Sequence, residues 1–289
     1  MPISVSEQLP PACRWTSRLA VFSLVVFVTA AILHRLGLPT PAAFNMLLMA
    51  YSGAAVAFVL AIIGTVSIWR HGGGGASRVV VGLFISLAMF GAAAIVIAIA
   101  QSYPALNDVT TDINAPPQFS EAAKLRGGAG NTVVYPANFA ALQTKYYADL
   151  QPLLIDRSFD EVYEVAVEVL RRQRYKILRE DPAGVIEAVD RSMVLGFSDD
   201  IAVRVTGNEE RARIDIRSAS RFGKIDFGHN AGRVRMLLKE VVARLEETVP
   251  SADGERASAA NKSAKPVLKP SKERGSKKEI PRKSRDRDE

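Results

Sequence analysis

Three apolar runs lie within the first 102 residues, and they constrain this chain more than anything else in it. Residues 42–69 and 79–100 contain no charged side chain, and residues 19–33 (LAVFSLVVFVTAAIL) are uncharged as well but shorter. A helix crossing a bilayer needs ~20 apolar residues. The first run reaches that length if Arg18 and Arg35 extend their charges into the interfaces on either side. Transmembrane helices are therefore expected at about 16–36, 44–69 and 79–101, with the lipid bilayer as their partner. Trp15, Trp69 and Tyr103 fall at the run ends, where interfacial aromatics concentrate. The competing reading of the first run is a cleaved signal peptide, since it has an Arg-bearing start and small residues near Ala30.

Basic residues close to span ends set orientation. With the N-terminus inside, Arg14, Arg18, Arg70 and Arg78 lie on the inner side and Arg35 alone on the outer side. This distribution predicts a multi-pass protein of the cytoplasmic (inner) membrane, N-terminus inside, with everything after the third span extracytoplasmic, or periplasmic in a Gram-negative cell. No Asp, Glu, Lys or Pro interrupts the three runs, so they read as an anchor rather than a transport path. Gly53, Ala57 and Ala61 recur at four-residue spacing, as do Ala88 and Ala92, or Ala94 and Ala98. Such small-residue faces allow close helix approach, either between copies in a homo-oligomer or among the three helices of one chain. The HGGGGAS turn (71–77) lacks the Lys-Ser/Thr ending of a phosphate loop.

A formal charge of +7 invites a nucleic-acid reading, but its distribution argues against one. Residues 1–102 carry five Arg and one acid, residues 251–289 twelve basic and seven acidic groups, and residues 103–250 carry 20 basic against 22 acidic. The segment able to fold is thus slightly acidic, and nucleic acid is an unlikely partner. A single cysteine, Cys13, and three histidines (His34, His71, His229) exclude a disulfide framework and a Cys- or His-based metal centre, so neither metal nor cofactor is expected.

After the spans, residues 103–145 run through Pro116-Pro117 and a Gly-rich patch and read as an extended linker or strap. Residues 146–249 carry the pattern of one domain. A strand at Leu153–Ile155 is followed by a capping box, Ser158-x-x-Glu161, opening a helix with Phe159, Val162, Ala166, Val169 and Leu170 on one face. Strands follow at Tyr175–Arg179, Val185–Val189, Met193–Phe197, Ile201–Val205 and Ala212–Ser218, and a last helix at about Asn230–Glu246. The order predicts an α+β domain, an antiparallel sheet with two helices on one face. Residues 250–289 are poor in apolar groups and are expected to be a disordered basic tail.

The densest polar cluster joins the last strand to the last helix: Arg217, Ser218, Ser220, Arg221, Phe222, Gly223, Lys224, Asp226, Gly228, His229, Asn230 and Arg233. Asn230 reads as the helix N-cap, so free N–H groups beside Arg221 and Arg233 would suit a carboxylate or phosphate. The structural alternative pairs Asp226 with Arg221 or Arg233 simply to fix the loop. Asp199 and Asp200, two acids read at a strand turn, suit a cation or acid–base work, or a solvated turn. No G-x-S-x-G elbow accompanies His229 and Asp226, so no catalytic residue is assigned.

Two motifs here resemble the DUF1499 family: N-D-x-x-T-D (Asn107, Asp108, Thr111, Asp112) and S-R-x-G-x-x-D-x-G-x-N-x-x-R (Ser220 to Arg233), with Asp199, Asp200, Arg217 and Ser218 between them. The likeness spans residues 107–246. It implies an exported or membrane-attached domain, found in bacteria and plastids, without an assigned activity. It also suggests that the two motifs form one site, with the strap packed on the Arg221–Arg233 loop, or else a strap that only covers a sheet edge. The expected role is a membrane-anchored envelope protein whose exported domain binds an envelope partner or small anionic ligand through Asn107, Asp108, Asp112, Asp199, Asp200, Arg217, Ser220, Arg221, Asp226, Asn230 and Arg233. The rivals are an envelope hydrolase using Asp199, Asp200, Asp226 or His229, and a cytoplasmic-facing domain whose tail binds nucleic acid or anionic lipid.

Overall fold

The computed structural model describes residues 10–128, 130–192 and 196–248. Three helices come first, α1 (Pro11–Leu36), α2 (Thr40–His71) and α3 (Ala76–Gln101), each long and apolar enough to cross a membrane. They meet through small residues. Ala20, Ala30, Ala50, Ala54, Ala57 and Ala61 are buried within the bundle, while Phe22, Val25, Phe44, Phe84 and Ile95 point outward. A Cβ at Gly82 would lie 3.1 Å from the Thr16 carbonyl, and one at Gly64 would lie 3.2 Å from the Cys13 sulfur. Gly53, Ala57 and Ala61 thus serve packing inside one chain, whereas Ala92, Ala94 and Ala98 on α3 stay exposed.

Six residues after α3 the chain enters a sheet: β1 (Asp108–Thr110), β2 (Leu153–Ile155), β3 (Lys176–Asp181), β4 (Val185–Arg191), β5 (Ser198–Gly207) and β6 (Ala212–Ser220). Every pairing is antiparallel, in the order β6-β5-β4-β3, and the outer edge of β6 is shared by β1 and β2. Of the expected strand Met193–Phe197, residues 193–195 lie outside the described residues, and Gly196 and Phe197 belong to the β4–β5 connection. The expected disordered tail also lies outside them. Helices α6 (Phe159–Arg172) and α7 (His229–Thr248) pack on one face of the sheet, as the alternation implied. Val162, Ala166, Val169 and Leu170 of α6 and Ala231, Val234, Leu237 and Val241 of α7 join Ile186, Ile201, Val203, Ile214 and Ile216 in one core. The Ser158 hydroxyl accepts from the Glu161 N–H, which starts α6 at the expected capping box.

The opposite face is covered by the segment expected to be linker. It is more structured than its composition suggests, with β1, a single turn α4 (Glu121–Lys124) and α5 (Ala137–Tyr146). Phe119 and Ala122 pack on Ala202 and Ala219. The Glu187 carboxylate, wholly buried, accepts from the N–H groups of Ser120 and Ala122 and so anchors the start of α4.

Candidate functional site

Adjacent residues of a strand face opposite sides of a sheet, and this alternation sorts the motif residues into two groups. On the helix face, Asp190, Asp199, Ser218 and Ser220 meet α7. Arg233 donates to Asp190 at 2.6 Å and Asp199 at 2.8 Å through Nη2, and to the Ser218 hydroxyl and Asn230 Oδ1 through Nη1. Burial works against the Arg233 charge, but Asp199 and Asp190 outweigh it and hold the guanidinium above its ordinary pKa. Asn230 is fully buried and is the hub of this group. Its Oδ1 accepts from Ser218 at 2.7 Å, and its Nδ2 donates to Ser220 Oγ and to the Asn107 carbonyl.

Asn230 is therefore not the helix cap. The cap is Asp226, whose carboxylate accepts from the N–H groups of Gly228 (2.9 Å) and Asn230 (2.8 Å), and no ion pair joins it to Arg221 or Arg233 among the described residues. The positive φ of 55° at Phe227 and 76° at Gly228 folds the loop back so that the acid three residues before the helix reaches its first turn. Burial pushes the Asp226 carboxyl up, against the downward pull of those hydrogen bonds. The N–H groups expected to be free for an external anion are thus occupied by the chain's own carboxylate.

On the strap face, Arg217 is fully buried and grips Asp108 with two bonds of 3.0 and 2.7 Å, reaches the carbonyls of Pro117 and Val133, and stacks 4.6 Å from the Phe119 ring. Asp200 is held by Arg221 (2.7 Å) and Arg126 (2.6 Å). Asp112 sits farther along the same face against Arg213 and Arg204, beside Asp215. Asp199 and Asp200 lie inside β5 rather than at a turn, and they point away from each other, so they do not form a carboxylate pair. Of the four groups of the hydrolase reading, Asp199, Asp226 and His229 border one cavity while Asp200 lies on the opposite face of the sheet, and among the described residues no three His, Cys, Asp or Glu side chains are grouped to hold a metal.

The two motifs do meet. Asn107 donates its Nδ2 to the Gly223 carbonyl and accepts from the Ser220 N–H at 2.7 Å, while β1 pairs Asp108 with Ala219 and Val109 with Ser218. The segment is at once an edge cover and a clamp on the loop.

Beyond these pairs the structure reveals a cavity built largely from the Ser220–Arg233 motif. It holds about 560 Å³ and is lined by Phe197, Phe222, Ile225 and Phe227 on its walls, with Asp190, Asp199, Asp226 and Arg233 within it. Its walls reach the ends of the apolar helices: the Phe197 ring lies 4.9 Å from His34 at the end of α1, and the Phe227 ring 6.1 Å from Tyr103 just beyond α3. Arg191 donates to the His34 carbonyl at 2.8 Å and ties the sheet to the end of α1. On the other side of the β4–β5 ends a second cavity of about 650 Å³ is lined by Lys176, Arg191, Ser198 and Arg221 against the turn Gly37–Pro39. Phe222 stood in the polar cluster without a wall role, and Asp190, Ile225 and Phe227 carried no signal in the sequence, because Phe197 and Phe222, 25 positions apart, converge only once the β5–β6 hairpin has formed.

No curated protein matches the chain. The solved structure of CalU16 from Micromonospora echinospora is similar at 15% identity, over 39% of this chain and 82% of its own, with a TM-score of 0.27. Residues 108–241 match the family described as "Protein of unknown function (DUF1499)", a span that holds both clamp partners, the Asp226 cap and the Asn230 hub, and the sheet domain of this chain belongs to that family.

Proposed function

We propose that this chain is a membrane-anchored cell-envelope protein whose DUF1499 domain, held outside the cytoplasmic membrane with the N-terminus inside, binds a small ligand or a segment of an envelope partner in the Phe197–Arg233 cavity. The observation that carries the reading is a cavity of about 560 Å³ that combines aromatic walls with a few converging charged groups, which is the usual chemistry of a ligand site. The orientation is supported by the four inner arginines against one outer. An anionic ligand fits less well than one that donates hydrogen bonds, since Arg217, Arg221 and Arg233 are each taken up by carboxylates of the chain.

Two experiments test it. Alkaline phosphatase fused after Val249 should be active in intact cells, and an inactive fusion at normal expression would refute the extracytoplasmic placement. Ile225→Trp fills the cavity from its wall. Mass spectrometry of small molecules retained by the purified full chain should show one that the variant has lost, and identical sets from both proteins would count against the site.

A further inference from the structure

The cavity's position and sign say more about its occupant, and the following rests on the reading of that cavity as a ligand site. Two of its wall residues lie at the level where the apolar helices end. Phe197 contacts His34 of α1, Phe227 contacts Tyr103 beyond α3, and a Cβ at Gly228 would lie 3.2 Å from the Tyr103 ring. Headgroups of a bilayer crossed by α1 and α3 occupy that level. Just below that level α3 is apolar and open: its last two turns leave Ile95, Val96, Ile97 and Ile99 between 48% and 62% exposed. The Phe227–Tyr103 contact joins the end of α3 to the cavity wall, and Phe197, itself 39% exposed, forms the wall beside the end of α1. An acyl chain can lie along α3 while its headgroup turns inward between Phe197 and Phe227.

The interior selects the headgroup. Three carboxylates, Asp190, Asp199 and Asp226, face one guanidinium, Arg233, which both Asp190 and Asp199 already hold, and the imidazole of His229; even with both basic groups charged the acids are in excess. Asp226 is engaged with two backbone N–H groups. Asp190 is the most open of the Arg233 partners, its side chain 27% exposed, and has acceptor capacity left on a carboxylate with about four lone-pair sites. A cation carrying N–H donors satisfies this excess. An anionic head does not, because it would meet the carboxylates first.

We infer that the cavity takes an amphiphile with a primary ammonium headgroup, drawn laterally from the outer leaflet of the bilayer between α1 and α3, with the ammonium on Asp190 and Asp199. A quaternary ammonium would reach the aromatic walls but has no N–H to give the carboxylates, and this sets the contrast to be measured.

The test uses the full chain in phosphatidylcholine nanodiscs doped with photoactivatable lipids of identical acyl chains and ethanolamine, choline or glycerol heads, followed by irradiation and peptide mapping. The ethanolamine lipid should label peptides containing Phe197, Phe222, Ile225 or Phe227 about tenfold over the other two, the worth of one charge-assisted hydrogen bond. Asp190→Asn should bring it down to their level, and Ile225→Trp should abolish labelling of those peptides. Equal labelling by all three heads would overturn the headgroup assignment while leaving the ligand site standing. Labelling by a photoreactive water-soluble alkylamine but by no lipid, still blocked by Ile225→Trp, would overturn entry from the bilayer alone. If neither lipid nor soluble amine labels the cavity in an Ile225-dependent way, the inference falls together with the site it rests on.

Discussion

Arg217 offers the sharpest test of how the domain is held together. Arg217→Met keeps much of the apolar stem but removes the two bonds to Asp108 and those to the carbonyls of Pro117 and Val133. Asp108 would remain, its side chain 4% exposed, as a buried carboxylate without a counter-charge. Removing one partner of such a pair costs about 3–5 kcal/mol, and two carbonyls without donors add roughly 1 kcal/mol or more between them. A loss of about 4–6 kcal/mol is a large share of the roughly 5–15 kcal/mol that holds a domain folded. The assay is thiol labelling of a buried probe, Val203→Cys in a Cys13→Ser background, in the full chain in detergent. Val203 is 2% exposed in the core, so labelling reports opening of the domain. In the regime where opening is at equilibrium, Arg217→Met should speed it by roughly a thousandfold or more, since each ~1.4 kcal/mol is a factor of ten. Asp108→Asn added to Arg217→Met removes the uncompensated charge and should recover at least a hundredfold of that. A rise below tenfold, or a double variant as labile as the single one, would refute the ion-pair argument.

Other substitutions probe the remaining contacts. Asp226→Ala should cost about 1–2 kcal/mol as a lost cap, seen as faster amide exchange at Gly228 and Asn230, whose N–H groups it accepts from. For Glu187, burial pushes the carboxyl up, but the Ser120 hydroxyl and the Ala122 and Ser120 N–H groups draw it below its ordinary value. Its stabilisation is therefore complete above the ordinary glutamate range and is lost as pH falls through the lower folded value, so the melting temperature of the full chain in detergent should fall below about pH 4 and Glu187→Gln should flatten that limb. Gly82→Leu should separate α1 from α3 at Thr16 at a cost of about 1–3 kcal/mol. In detergent, Cys13, fully buried in the bundle, should become reactive to thiol reagents.

Elements with a period were legible in the residues. The capping box and apolar face of α6, the three apolar helices and the alternating runs of β4, β5 and β6 all stand where periodicity puts them. The β1 strand and α5 were not, because three residues of Asp-Val-Thr carry no alternation to detect and α5 has little apolar contrast between its faces. The motif residues could be named but not paired. Arg217 and Asp108 lie 109 positions apart, and nothing local distinguishes a guanidinium bound for a carboxylate inside the chain from one meant for a ligand. Asp190 was missed for a related reason: an Asp-Arg pair at a strand end reads as a solvated edge until α7 brings Arg233 onto it.

The shared edge of β6 bears on how the protein is made. β1 leaves the ribosome directly behind α3, yet among the described residues its only strand partner is β6, the last of their strands to be synthesised. Asp108 must wait for Arg217, and Asn107 for the loop at Ser220 and Gly223, until about a hundred further residues have emerged. Contacts so distant in the chain carry a loop-closure cost and slow the search. The first segment past the third helix is thus the last part of the sheet to find its place, and a nascent chain stalled before β6 would present an unpaired strand next to the bilayer. Premature truncation between β5 and β6 should therefore be more toxic to the membrane than truncation before β1.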